Sequence, residues 1–215
     1  MIMSKNKIEI IFGDITKMSF DAVVNSANKS LLAVGGVDGA IHKATGPQLE
    51  AECKEIGGCP TGEARITKSY GLGRNSVSWI IHAVGPRWFD GTKNEDKLLE
   101  NAYLNSLKLA VNYKEVYSEQ CVGILMKYIA HEEKAAKEKL IKEVREEAER
   151  YADEHPIRTI AFPSISTGIY HFPMERAVEI AIGAMRSIFE VSETLERIAV
   201  VCFDERIYRY YKNKI

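Results

Sequence analysis

Apolar residues fall in short runs separated by polar, glycine-rich breaks: Ile8 to Phe12, Ala22 to Asn25, Ala64 to Ser69, Ser78 to Val84, Arg158 to Phe162 and Ile198 to Cys202. Runs of this length bounded by turn residues predict strands. The run from Ser78 to Val84 is almost wholly apolar, as expected of a strand covered on both faces. Its one imidazole, His82, reads as a packed core residue. Between the strands the spacing changes to that of helices. Gln48 to Ile56 follows Pro47, a residue suited to the first helical position. Leu98, Tyr103, Leu104, Leu107 and Val111 share one helical face, and Met174 to Val191 forms another candidate helix. Strands alternating with helices predict an α/β domain with a mostly parallel sheet.

Residues from about 114 to 155 break this rhythm. Leu140, Val144, Ala148 and Tyr151 fall on one face of a strongly charged helix, and Cys121, Leu125 and Tyr128 suggest a shorter helix before it. An amphipathic hairpin inserted in the domain is the expectation.

The chain has 215 residues and a formal net charge of −1, with 46% hydrophobic residues. That length suits one α/β domain and is too short for two large ones. The near-neutral charge argues against an electrostatic grip on nucleic acid, and Glu and Lys alternate in the charged segment without forming a basic stripe. No apolar run approaches the roughly 18 residues of a membrane span. The opening MIMSKNKIEI lacks the apolar core of a secretory leader, so a cytoplasmic protein is expected. Cys53, Cys59, Cys121 and Cys202 form no C-x-x-C pair. A bridge or zinc site at Cys53 and Cys59 is the weaker reading, reduced structural thiols the stronger, and no metal is expected.

The candidate chemistry concentrates at strand ends. Asp21 to His42, DAVVNSANKSLLAVGGVDGAIH, places Asn25 and Asn28 beyond an apolar run, then Gly35 and Gly36, then Asp38. Asn is depleted in strands, and its carboxamide both donates and accepts, which suits sugar hydroxyls. Asp38 also reads as a helix N-cap, with His42 packed one turn later. Gly13, Asp14 and Ile15 end the first strand; Asp14 is either a turn cap or an acceptor for an exocyclic amine. Ser166, Thr167, Gly168 and Ile169 lie in a small-residue loop between a strand and a helix, where free backbone N–H groups hold phosphate oxygens. The loop has no Lys, and the chain has no G-x-x-x-x-G-K-[ST] pattern, which disfavours a kinase or NTPase. Tyr170 and Phe172 flank the loop as a ribose wall or as core. Phe203, at the last strand's end, could stack on a base or pack in the core.

GDIT, DAVVNSAN, GGVDGAIH, GGCPTGEARIT, IIHAVGPRW and FPSISTGIY, in this order, closely resemble the macro domain in its MacroD-type branch. The resemblance covers about Ile8 to Arg87 and Arg158 to Phe203. It implies a single domain over residues 1–215 with a three-layer α/β/α fold, a mixed, mostly parallel sheet, a helical insertion at about 114–155 and an ADP-ribose cleft. By position, Asp14 would take the adenine amine, with Gly13 and Ile15 beside it, and Phe203 would stack near the base. Ser166 to Ile169 would hold the diphosphate, with Gly35, Gly36 and Val37 facing it. Tyr170 and Phe172 would border the distal ribose. Asn25, Asn28 and Asp38 match the positions tied to turnover, with Asp38 orienting or deprotonating water. Two positions depart from the family pattern: Val34, in what is usually a glycine run, and His171, where glycine is usual. Both narrow the expected cleft, because glycine permits positive φ and close backbone approach.

The resemblance implies a hydrolase that removes acyl or protein-linked mono-ADP-ribose by water attack, acting on O-acetyl-ADP-ribose or ADP-ribosylated Asp and Glu side chains. The competing reading is a non-catalytic ADP-ribose reader. The expected partners are ADP-ribose, O-acetyl-ADP-ribose and mono-ADP-ribosylated proteins. No cofactor is needed, nucleic acid and membrane are not expected partners, and the chain is expected to be a monomer.

Overall fold

The computed structural model describes residues 7–215; the opening residues 1–6, on which part of the leader reading rests, lie outside them. The apolar runs form β1 (Lys7–Phe12), β2 (Ala22–Ala27), β3 (Ala64–Lys68), β4 (Trp79–Val84), β5 (Thr159–Phe162) and β6 (Arg197–Cys202). They make one sheet in the order β1-β6-β5-β2-β4-β3. Every neighbouring pair is parallel except β3 with β4. The sheet is therefore mixed and mostly parallel, and the carboxyl ends of β1, β6, β5, β2 and β4 lie along one rim.

Alternation of side chains along each strand sends neighbouring residues to opposite faces. Val23, Ala27, Ile80, Val84 and Ala161 bury one face against Ile41, Leu49 and Cys53, which belong to α1 (Gly36–Thr45) and α2 (Pro47–Ile56). On the other face Phe162 meets Tyr103 of α3 (Glu95–Val111), with ring centroids 5.5 Å apart. There α3 packs on α6 (Met174–Phe189). The result is the three-layer α/β/α arrangement. At the rim opposite the site, the Asp21 carboxylate accepts N–H bonds from Arg158 at 2.9 Å and Thr159 at 2.8 Å, tying the start of β2 to that of β5.

Residues 112–156 form a compact unit of their own. It consists of α4 (Tyr113–Met126) and α5 (Lys134–Glu154). The Tyr117 and Tyr151 rings stand 6.2 Å apart, and Arg145 donates to Glu119 at 2.5 Å. The first helix carries Cys121 and Leu125 but ends at Met126, before Tyr128. A short α7 (Glu205–Lys212) closes the chain, with Asp204 accepting from the Arg206 and Ile207 N–H groups as its N-cap.

One local expectation changes. Asp38 is not an N-cap: α1 starts two residues earlier, at Gly36, after Gly35. Gly36 adopts φ +60°, which suits glycine, and the Asp38 carboxylate reaches back to the chain before the helix. Around Gly71 the turn is a 3-10 segment, Tyr70–Asn75, and a Cβ at Gly71 would stand 2.5 Å from the Ala44 carbonyl oxygen. Cys53, Cys59, Cys121 and Cys202 are unbridged. Among the described residues no helix is long and apolar enough to cross a membrane.

Candidate active site

Ligands of open α/β sheets bind beyond the carboxyl ends of the strands, and here that rim is hollowed in three places. Beyond β1 and β6 lies a cavity of about 450 Å³, walled by Gly13, Asp14, Ile15, Val37, Cys202 and Phe203 among others. Beyond β5 and β2 lies one of about 150 Å³, walled by Asn28, Val34, Gly35, Ser166, Ile169 and Tyr170. The two share Gly36, Val37, Ser164 and Gly168 as walls, so they form one continuous cleft.

The middle of this cleft is an anion cradle made of backbone. The first-turn N–H groups of α1, from Gly36, have no intrahelical acceptor and carry the positive end of the helix dipole. From the opposite wall, the loop after β5 closes on itself: Thr167 Oγ1 donates to Ser164 O at 3.0 Å, His171 N to Gly168 O at 2.9 Å and Phe172 N to Ser166 O at 3.0 Å. Among the described residues the Gly168, Ile169 and Tyr170 N–H groups have no protein acceptor. Ser166 sits in the left-handed region at φ +65°, and its buried hydroxyl has no partner among the described residues. A Cβ at Gly85 would overlap the Ser166 hydroxyl, so the loop's approach to the end of β4 requires glycine there.

The wide end of the cleft suits a flat, partly apolar group with one donor edge. Phe203 is 78% exposed and lines this cavity with Val201 and Ile207. The Asp14 Oδ1 caps the following turn, accepting from Thr16 N at 2.9 Å and Thr16 Oγ1 at 2.7 Å. The turn-cap reading of Asp14 therefore holds.

Asn25 and Asp38 meet in a buried polar chain. Asn25 Nδ2 donates to Asp38 Oδ1 at 2.7 Å and lies 3.2 Å from His82 Nδ1, and His82 Nε2 lies 3.0 Å from Thr67 Oγ1. Burial, then the neighbouring His42, push the His82 imidazole down to about 3. A neutral ring that accepts at Nδ1 and donates at Nε2 fits both partners. Asp38 Oδ2 accepts from Val34 N at 2.9 Å, and His42 Nε2 stands 3.6 Å from Oδ1.

Comparison with known proteins decides the family. A model described as "Macro domain" matches residues 24–124 and 113–181. A macro domain-containing protein of Cupriavidus necator is 40% identical over 217 residues, covering 99% of each chain, so the alignment runs through 112–156 as well. The chain belongs to the macro domain family. A Pantoea vagans relative named O-acetyl-ADP-ribose deacetylase 1 is 41% identical over 95% of this chain and 96% of its own. A solved mutant of the Oceanobacillus iheyensis macrodomain, with ADPR, has a TM-score of 0.73 and 33% identity, covering 98% of this chain and 92% of that one.

Of the residues expected in the site of this macro domain, all but Asn25, Asp38 and Phe172 wall the cleft. Phe172 is a correction: it is 2% exposed and packs edge-on against Trp88, centroids 4.8 Å apart, beneath the loop rather than beside a ribose. Asp38 is 2% exposed with both oxygens engaged, so it holds Asn25 and the Val34 backbone. Asn28 lines the cleft, but its carboxamide also pins its own loop, donating to Leu32 O at 2.6 Å and accepting from Ser30 N at 2.9 Å. His171, the departure from glycine, is exposed at φ +54°; it keeps the left-handed turn and stays out of the cleft. Val34 is 62% exposed on the wall of the smaller cavity.

Sequence reading missed Tyr103, Glu95 and His82 as site supports. The Tyr103 hydroxyl accepts from Ile165 N at 3.0 Å, setting the root of the loop after β5 from 62 residues away. Nothing local in the sequence marks such a partner.

Proposed function

We propose that this chain is an ADP-ribose-binding hydrolase that removes acyl or protein-linked mono-ADP-ribose by water attack. The observation that carries the reading is the continuous cleft whose centre is bare main-chain N–H groups on both walls. That arrangement suits a diphosphate, with an aromatic and a carboxylate at one end and Asn28 and Tyr170 at the other. The solved relative holding ADPR and the relative named as a deacetylase support the same ligand. In this reading adenine lies against Phe203 with its amine on Asp14. The diphosphate bridges α1 and the 166–170 loop, and the distal ribose meets Asn28. Asn25 and Asp38 act as positioning residues that set the Val34–Gly36 wall, against which a water is held near the ester.

A second reading, an ADP-ribose reader without turnover, is favoured by one observation: both Asp38 oxygens are engaged within the protein. Calorimetric titration with ADP-ribose, run beside ADP and AMP, tests the shared part, with ADP-ribose expected to bind tightest. Acetate release from O-acetyl-ADP-ribose separates the readings. Binding with no acetate released assigns the reader.

A further inference from the structure

Past Asn28 and Tyr170 the rim holds a third cavity, of about 670 Å³, beyond β2 and β4. It shares those two residues with the smaller cavity of the cleft, so it opens where the distal ribose would end. The strand order dictates this sequence of spaces: β1 and β6 hold the first, β5 and β2 the second, β2 and β4 the third. The third is built differently from the others. Lys29, Arg87 and Lys93 stand around it, all exposed, and among the described residues none of them forms an ion pair. The Lys93 ammonium lies 4.9 Å from the Phe89 ring centre. The single acid in its wall, Glu95, is turned into the loop. Its Oε1 accepts from Phe89 N and Gly91 N at 3.2 Å each, and its Oε2 from Lys93 N at 2.6 Å. Burial raises this carboxyl, but the backbone donors outweigh it and hold it at about 2; its charge is met by N–H dipoles. In a chain of net charge −1, this end of the cleft offers three cations outside any close ion pair among the described residues, whereas the adenine end carries Asp14 and Asp204.

Resting on the hydrolase reading, we infer that this third cavity is a subsite for the polypeptide that carries the ADP-ribose, selecting acidic residues beside the modified side chain. Two facts favour a polypeptide over a small acyl group. The cavity is of the size that encloses drug-sized ligands, roughly 300–1,000 Å³, far more than an acetyl group fills. It also adjoins, through Asn28 and Tyr170, the end of the cleft that the proposed function gives to the distal ribose. Lys29 sits on the loop after β2, and Arg87 and Lys93 near the two ends of the loop between β4 and α3, so the cations approach the space from two loops. Carboxylates spaced along a peptide match that arrangement by charge.

The test compares three probes by fluorescence anisotropy: free ADP-ribose, a peptide with acidic flanks and one with neutral flanks. Both peptides carry ADP-ribose through a non-hydrolysable amide in place of the ester. The acidic peptide is expected to bind roughly 10-fold tighter than the neutral one, the sum of three modest exposed charge pairs. The difference should vanish in the Lys29→Gln/Arg87→Gln/Lys93→Gln variant and shrink in high salt, while free ADP-ribose binds both proteins alike. Equal affinity for the two peptides, with ADP-ribose binding intact, overturns the subsite alone. So does a two-unit ADP-ribose oligomer whose binding, unlike that of the peptides, falls in the triple variant. Failure of the wild-type chain to bind free ADP-ribose overturns the hydrolase reading and the subsite with it.

Discussion

Asp38 shows how one buried carboxylate can tie together the backbone of a cleft wall. Its two oxygens join the Asn25 carboxamide to the Val34 backbone, and Val34 walls the cleft. Replacing it with Ala or Asn leaves a buried donor without an acceptor, because Asn presents an NH₂ group where one oxygen was. Such a loss costs about 1–3 kcal/mol. Asp38→Ala and Asp38→Asn should therefore both lower stability in urea unfolding by that amount. In the hydrolase reading, turnover should fall in step with weaker ADP-ribose binding, since the wall itself shifts. Loss of kcat alone, by the roughly 100- to 10,000-fold typical of a general base, with stability and affinity unchanged, would return Asp38 to the water-activating role expected from the sequence.

The loop between β4 and α3 is held by one side chain at a helix start. Glu95 begins α3 and gathers the N–H groups of Phe89, Asp90, Gly91 and Lys93. Trp88 N donates to Tyr170 O at 2.8 Å, joining this loop to the phosphate-facing one. Glu95→Gln removes the charge and turns one acceptor into a donor. Hydrogen exchange should then quicken at Phe89, Gly91 and Lys93, while the β4 amides stay protected. Unchanged exchange in the loop would show that Glu95 does not hold it. Acid should act in the same way. The folded carboxyl titrates near 2 against an ordinary 4.5, so its contribution is full above pH 4.5 and fades as pH falls toward 2.

Taken as a unit, the molecule carries a built-in acid sensitivity. His82 is buried in β4 with a folded value near 3 against an ordinary 6.5. Below pH 6.5 the unfolded chain takes up this proton first, so stability falls as pH drops through the window from 6.5 to 3. The slope is about 1.4 kcal/mol per pH unit. Urea unfolding at pH 7.5, 6.5 and 5.5 should show a drop of that order between the last two, and His82→Gln should flatten it. An equally steep curve for the variant would place the acid response elsewhere.

How much of this was legible beforehand follows from the range of the interactions involved. The six strands, the glycine and small-residue loops at their ends and the fold class are written in short-range pattern: apolar runs, turn residues and a helix spacing that survive any change of partner. So were the walls of the cleft, because backbone amides and loop residues at strand ends face the rim whatever their neighbours are. The engagement of both Asp38 oxygens, the burial of Phe172 behind Trp88, the Tyr103 prop under Ile165 and the cationic third cavity were not legible. Each depends on groups brought together across tens of residues by the strand order β1-β6-β5-β2-β4-β3. Sequence alone determined which elements form and which loops share the rim. Only the tertiary structure decided which side chains face the ligand space and which brace it, because direction and burial are set by packing between elements that no local pattern encodes.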